Sequence, residues 1–232
     1  MKSFGKRVLK LFLKILKWFF ILSIASVILF RFIPVPFTPL MLIRCGEQIF
    51  SSDKKLKLHK DWTSLDEMSS AMPLAVMAAE DQNFEEHFGF DFNAIRKAEQ
   101  YNERHKGKKL KGASTISQQT AKNVFLFPAR SWVRKGFEVY FTFLIEICWS
   151  KKRIMEVYLN VIEMGEGIYG AEAAAQEYFH KPAKKLSIRE ASLLAAVLPN
   201  PRKWSPAKPT PYILQKSGRI MFYMSRLDPQ DF

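Results

Sequence analysis

The sequence predicts a mainly α-helical domain that follows a single membrane-spanning helix. The segment 18–30, WFFILSIASVILF, contains no charged residue. From about residue 61 onward, apolar residues recur at helical spacing, and helix-capping residues precede several of these runs. No stretch of alternating apolar and polar residues predicts a strand, and the chain has no internal repeat.

The composition fits one domain of ordinary size plus an extra segment, since the chain has 232 residues and 48% of them are apolar. The formal net charge is +14, and residues 1–31 carry seven cations and no acid. Such a basic protein prefers polyanions, which include nucleic acid, anionic lipid and phosphorylated substrates. Cys45 and Cys148 are too few for a disulfide framework, and Cys148 is expected to be a buried free thiol.

The amino-terminal part divides into a basic tail, residues 1–17, and a predicted transmembrane signal-anchor, residues 18–33. The uncharged core is shorter than the bilayer, but flanking cations can snorkel and the apolar run continues past Arg31. A cleaved signal peptide is the alternative, because SIAS (23–26) loosely resembles a cleavage site. Six cations precede the span, so the positive-inside rule predicts a cytoplasmic amino terminus and export of the rest of the chain.

Three prolines end the anchor and open a connector over residues 34–60, which leads to a domain over residues 61–232. Pro73 fits the first turn of a helix with a stripe of small residues, and Asp91 can cap the next helix. Residues 101–111 are basic and contain a glycine, so a mobile loop is expected there.

Capping boxes mark two further helices, one at Thr115 and Gln118 and one at Ser187 and Glu190. Two amphipathic helices lie between them, the second over residues 151–162. The apolar side of the first is predicted to consist of Val133, Phe137, Tyr140, Phe141, Leu144, Ile145 and Cys148.

The stretch AAEDQNFEEHFGFD (78–91) places Glu80 directly after an apolar helix. A carboxylate at such an edge is partly desolvated, which raises its pKa and makes it a better base. Taken alone, the stretch fits an ordinary helix-end acid paired with a nearby cation better than it fits a base.

Polar and charged residues that suit an anion follow in the chain. The run GASTISQQTAKN (112–123) puts hydroxyls and amides at a helix start, where free backbone N–H groups bind anions. The later charged residues are, in order, Lys122, Arg130, Arg134, Lys135 and Glu138. Arg134 and Glu138 are spaced as a surface ion pair, but their helix is apolar enough for Glu138 to lie at a cleft wall. Two carboxylates with clustered cations suit a reaction in which one acid removes a proton and a phosphate leaves.

Four ordered motifs, EDQNFEEHFGFD (80–91), GASTISQQ (112–119), RKGFE (134–138) and KRIMEVYLN (152–160), resemble those of the family 51 glycosyltransferases, the peptidoglycan glycosyltransferases that polymerise lipid II. The resemblance covers roughly residues 60–205. It implies a lysozyme-like fold with a helical catalytic lobe and a small membrane-facing lobe between the first two motifs. Ala113 and Ser117 depart conservatively from the family's common glycine and threonine.

The resemblance implies a role for each matched residue. Glu80 matches the base that deprotonates the 4-hydroxyl of the acceptor's GlcNAc. The oxygen of that hydroxyl attacks C1 of the donor's MurNAc with inversion. The attack forms a β-1,4 link and expels undecaprenyl pyrophosphate. Glu138 matches the second essential glutamate, near the donor's phosphates. The residues matching the family's cations around the pyrophosphate are Lys122, Arg130, Arg134 and Lys135. The cleft-shaping residues are Ser114, Thr115 and Gln118, and the residues that buttress the first motif are Asp81, Phe84, His87 and Gly89.

The implied partners are lipid II, the growing glycan strand, the membrane and other cell-wall synthesis or division proteins, with no nucleic acid. No cofactor or metal ligand set is expected, although Mg²⁺ or Mn²⁺ at the pyrophosphate is plausible. With an anchor and no second domain, the chain is expected to lack transpeptidase activity.

Other classes of protein fit the sequence less well than this family. A P-loop fails because Ala113 stands where the essential lysine belongs. A penicillin-binding acyltransferase would use Ser51 and the triplet 216–218, but the latter precedes RIMFYM, which predicts a helix where a strand is needed. A lytic glycan-cleaving enzyme acts on a neutral glycan, which has no anionic group for the cations to bind. A non-catalytic membrane-anchored scaffold would tolerate loss of both glutamates.

Overall fold

The computed structural model describes residues 2–51, 56–105, 111–129 and 131–227. The chain separates into two compact units, Met1–Pro34 and Val35–Phe232. Ten α-helices and three very short strands are found in the described residues, so the predicted mainly α class is confirmed.

The first unit contains one helix, α1 (Lys2–Phe32). Its part Gly5–Phe32 is 28 residues long and apolar enough to cross a membrane. The helix is continuous through most of the basic tail, because no proline or glycine pair interrupts it before Pro34. This unit is the candidate membrane anchor.

The second unit contains the other nine helices of the described chain and a small sheet. The helices are α2 (Pro39–Ile49), α3 (Ala71–Glu80), α4 (Phe92–Arg104), α5 (Ile116–Phe125), α6 (Trp132–Cys148), α7 (Lys151–Val161), α8 (Ala171–Phe179), α9 (Ile188–Val197) and α10 (Pro211–Met224). The strands are β1 (His59–Lys60), β2 (Glu163–Gly165) and β3 (Ile168–Tyr169), in the order β1-β3-β2. β3 pairs parallel with β1 and antiparallel with β2. These strands were not predicted, because two or three residues are too few to show an alternating pattern.

The predicted caps are present. Thr115 and Gln118 form a complete capping box at α5, and Ser187 and Glu190 form another at α9. Asp91 Oδ1 accepts a hydrogen bond of 2.8 Å from the backbone N–H of Ala94 and begins α4. These three helix starts are therefore determined by local sequence.

The helices of the second unit pack in two groups. α3 packs against α9 and α10, and small residues such as Ala75 on α3 and Ala195 on α9 are fully buried there. α5 packs against α6 and α7. The site described below lies where the end of α3 meets α5.

Some local predictions differ from the structure. On α6, Phe141 and Ile145 are buried as predicted, but Val133 and Phe137 are 70% and 39% exposed, while Glu138 is only 3% exposed. The helix therefore turns a charged residue inward. Both cysteines are free thiols, and Cys148 is partly exposed rather than buried.

Two further segments bear on the sequence-based expectations. The helix α4 continues to Arg104, so the first residues of the expected loop 101–111 are helical, and residues 106–110 lie outside the described residues. The triplet 216–218 lies inside α10, as predicted, and not on a strand. An acyltransferase site built on that triplet is thereby excluded.

Candidate active site

The first motif begins at Glu80, the last residue of α3, and turns back toward α5. Asp81, the next residue, is buried and accepts a 2.9 Å hydrogen bond from the backbone N–H of Ile116, at the start of α5. His87 Nε2 lies 2.9 Å from Asp81 Oδ1. This carboxylate thus joins the end of α3, the motif's own loop and the start of α5, which is the geometry that a buttressing residue requires.

Phe84 and Gly89 fix the same loop from inside. The Phe84 side chain is fully buried, and the Lys151 ammonium lies 4.6 Å from the centre of its ring. Gly89 has φ +77°, and a Cβ there would lie 2.8 Å from Thr142 Cγ2. Its carbonyl accepts a 2.7 Å hydrogen bond from Thr115 Oγ1. Only glycine fits this position, for conformational and steric reasons together.

A buried acid that sequence reasoning missed supports the loop. Glu146 on α6 accepts hydrogen bonds from Ser117 Oγ and, at 2.8 Å, from Lys151 Nζ, which also donates to the carbonyl of His87 at 2.7 Å. Ser117 therefore supplies a hydroxyl donor to this network. The available signal was an acid inside the apolar run FTFLIEICW, five residues before a lysine.

Glu80 is held by a neutral partner. Gln119 Nε2 donates a 3.0 Å hydrogen bond to Glu80 Oε2, and the buried Tyr158 hydroxyl donates to Gln119 Oε1 at 3.2 Å. Burial raises the pKa of Glu80 above its ordinary value, opposed by the Gln119 hydrogen bond and then by the charges of Lys216 and Lys122. No salt bridge to Glu80 is found within the described part of the chain, so it is not an ion-paired helix-end acid.

Glu138, unlike Glu80, is paired with cations. Its carboxylate is buried on α6 and lies 3.1 Å from Arg134 Nη1 and 2.5 Å from Lys135 Nζ. Lys122, on α5, is also largely enclosed, and burial lowers its pKa against the opposing charges of Glu138 and, more weakly, Glu80. Lys122 is thus an ammonium under the influence of both glutamates. Arg130 lies outside the described residues.

Two cavities open beside these groups. The first, of about 410 Å³, is polar and holds Glu80 and Asp81 together with residues from the second motif and from α10. Its other charged, amide and hydroxyl side chains are Gln82, Asn83, Asp91, Lys97, Lys111, Ser114, Thr115 and Tyr223. The second, of about 330 Å³, has Lys122 and Arg134 on its walls. Gln118 lines neither and acts as the capping residue of α5.

Sequence reasoning did not find several of these side chains. Gln119 and Tyr158 stand inside quoted motifs, but the hydrogen bond between them joins α5 to α7 and has no local signal. Lys216 and Tyr223 come from α10. Among the residues described, no three His, Cys, Asp or Glu side chains are placed to hold a metal ion.

The geometry defines a class of protein. A carboxylate with a raised pKa lies in a polar cavity that suits hydroxyl-rich compounds, and cations line a neighbouring cavity that suits an anionic leaving group. Such an arrangement serves a group-transfer enzyme that removes a proton from an acceptor and stabilises a departing anion.

Comparison with known proteins gives the family. The transglycosylase family model matches residues 47–225. The chain is 53% identical over 221 residues to a biosynthetic peptidoglycan transglycosylase of Bdellovibrio bacteriovorus, which covers 95% of this chain and 87% of the relative. It is 54% identical over 220 residues to the protein of the same name from Bacteroides thetaiotaomicron, with 95% and 88% covered. The chain belongs to the transglycosylase family and is a glycosyltransferase.

Proposed function

We propose that the protein polymerises lipid II into linear glycan strands of peptidoglycan, forming β-1,4 links with inversion and releasing undecaprenyl pyrophosphate. The contrast between the two glutamates carries the proposal: Glu80 is held by an amide, whereas Glu138 is neutralised by Arg134 and Lys135. The names of the similar proteins support the assignment to peptidoglycan.

The acceptor side uses Glu80 as base. Burial raises its pKa, which makes its carboxylate a better proton acceptor, and the Gln119 hydrogen bond holds one carboxylate oxygen in place. The 4-hydroxyl of the acceptor's GlcNAc gives up its proton to Glu80 as its oxygen attacks C1 of the donor's MurNAc. The polar walls of the first cavity suit a sugar.

The donor side uses fixed positive charge. A diphosphate leaves as a weak base, so it needs charge neutralisation more than a proton. Lys122 and Arg134 line the second cavity, and Glu138 holds the Arg134 guanidinium in place. A lytic enzyme would need a protonated acid for its sugar leaving group, and it has no use for these cations.

The purified full-length protein in detergent is expected to convert labelled lipid II into polymer that separates from the monomer on a gel. Parallel reactions with EDTA and with added Mg²⁺ or Mn²⁺ measure any contribution of a divalent ion at the pyrophosphate. Absence of polymer from lipid II, or cleavage of preformed glycan strands instead, would show that the proposed reaction is wrong.

We also propose that the amino terminus is cytoplasmic and the second unit periplasmic at the inner membrane, with lipid II, the glycan strand and other cell-wall synthesis or division proteins as partners. The support is the charge of the first 31 residues and the apolar helix α1. A reporter that is active only outside the cytoplasm, fused after residue 60, is expected to be active. An inactive reporter would reverse the topology, and a mature amino terminus near Ser26 would identify a signal peptide.

A further inference from the structure

The second cavity has a wall that comes from outside the family motifs. Its volume is about 330 Å³, and α2, α5, the segment after α5 and the start of α6 surround it. Leu40 and Arg44 of α2 line it, together with Lys122 and Arg134. Arg44 precedes residue 47, where the match to the transglycosylase family begins. A third cation therefore reaches the cavity from a segment that the sequence predicted to be only a connector.

The cavity walls carry hydrogen-bond donors that lack acceptors. Within the described chain, no group accepts a hydrogen bond from Asn123 Nδ2, Arg134 Nε or Arg44 Nε, although all three atoms are buried. The Asn123 side chain belongs to a residue that is 5% exposed. Buried N–H groups are normally paired. Arg44 Nε faces Glu163 Oε2 at 3.8 Å. Asn123 and Arg134, which line this cavity, in contrast each have an N–H that is unpaired within the described residues, and this indicates a site for the oxygen atoms of an anion.

The rest of the lining is apolar. Leu40 of α2 and Leu126, Pro128 and Ala129 from the segment after α5 complete the walls. A free phosphate would gain little from such a surface, whereas a diphosphate attached to a hydrocarbon chain would bury its first carbon atoms there. The cavity thus combines cationic and apolar walls.

α2 is anchored firmly enough to position Arg44. Thr38 caps the helix by accepting a hydrogen bond from the Met41 N–H at 3.3 Å, and the Met41 side chain is fully buried. The Arg44 guanidinium is held by Glu47 Oε2, 2.6 Å from Nη1, and by Glu163 Oε2, 3.8 Å from Nε. α2 also packs against α5, which carries Lys122 and Asn123.

We propose that α2 forms one wall of the donor's diphosphate site and that Arg44 binds the lipid-linked diphosphate directly, with Leu40 beside the first isoprenoid unit. This inference rests on the proposed function and adds a substrate-binding residue to it. Arginine suits the task, because its planar fork of N–H donors matches phosphate oxygens.

The test measures binding without catalysis. Farnesyl diphosphate and inorganic pyrophosphate are titrated into the full-length protein in detergent, with binding followed by calorimetry. Arg44→Gln is expected to weaken farnesyl diphosphate binding at least about tenfold, and Arg44→Lys to restore part of the affinity. The matched control is Arg189→Gln, which removes an exposed arginine that does not line the cavity, and we expect affinity within about threefold of the unmodified protein. Farnesyl diphosphate should also bind more tightly than pyrophosphate, because only the former reaches the apolar walls.

A second measurement keeps the inference testable if the Arg44 variants fold poorly. The Arg44 side chain is 25% exposed, so phenylglyoxal can reach it in the unmodified protein. Farnesyl diphosphate is expected to protect Arg44 from this reagent, as read by peptide mass spectrometry. The inference would be overturned if folded Arg44→Gln bound farnesyl diphosphate with unchanged affinity, or if the ligand did not protect Arg44. Equal affinity for farnesyl diphosphate and pyrophosphate would show that the apolar wall has no role in binding. If diphosphate binding depended on Arg44 but the protein did not polymerise lipid II, the proposed function would be contradicted and this inference would not.

Discussion

Glu80→Gln is expected to slow lipid II polymerisation at least about a hundredfold, the lower end of what a positioned base contributes. The substitution keeps the size of the side chain and an oxygen that can accept the Gln119 hydrogen bond, but glutamine cannot take a proton at neutral pH. The measurement is the initial rate of polymer formation from labelled lipid II. Glu86→Gln is the matched control, because Glu86 is an exposed acid in the same motif.

Glu80→Gln is also expected to change the thermal stability of the protein. Because burial raises the pKa of Glu80, ionising it costs the folded state free energy. The favourable contribution of Glu80 to the free energy of unfolding is complete below the ordinary glutamate pKa of 4.5. It is lost as the pH rises through the higher pKa of the folded state. Glu80→Gln is therefore expected to have an equal or higher Tm than the unmodified protein at pH 7, and this advantage should disappear near pH 4.

The pH–rate profile tests Glu80 independently. An acidic limb is expected at a pH above the ordinary value for glutamate, since only the ionised Glu80 can accept the proton. Residual activity in Glu80→Gln should lack this limb. If that variant polymerised lipid II at nearly the normal rate, the base would have to be another residue.

Lys122→Gln is expected to give the second large effect, a loss of about a hundredfold in turnover with little loss of thermal stability. Lys122 is largely enclosed and its pKa is lowered by burial, so its charge costs folding energy, and a neutral amide at this position removes that cost. Turnover falls because a buried cation facing the departing diphosphate is lost. Lys185→Gln, a change at an exposed lysine far along the chain, is the control.

Arg134→Gln separates catalytic loss from structural loss. It should also reduce turnover, but it removes a partner of the buried Glu138, so a lower Tm is expected as well. Full turnover in a folded but less stable Lys122→Gln protein would show that this lysine is structural, and its assignment to the diphosphate would be wrong.

The sequence predicted features that depend on local spacing. The capping boxes at Thr115 and Ser187 place helix starts within a few residues, because the side chain and the backbone group that it caps are close in sequence. The amphipathic pattern also predicted that Phe141 and Ile145 are buried. The family resemblance predicts that Glu80 and Glu138 belong to one site.

Features that depend on distant segments could not be predicted in this way. The Tyr158–Gln119 hydrogen bond links positions 39 residues apart, and the contribution of Arg44 depends on how α2 packs against α5. On α6, periodicity indicated that Val133 and Phe137 belong to the core, but the helix instead buries Glu138, since two cations neutralise its charge. Periodicity records hydrophobicity alone and has no information about such pairs.

The position of α10 has a consequence for how the enzyme is made. This helix packs against α3 and α9, its Ser217 lies 2.6 Å from Ser192 between the two hydroxyl oxygens, and its Tyr223 lines the cavity that holds Glu80. The wall beside Glu80 is thus supplied by a helix that is synthesised long after α3. A nascent chain that carries both glutamates but not yet α10 lacks this wall, so the cavity that holds Glu80 is completed only after α10 has been made and has packed against α3.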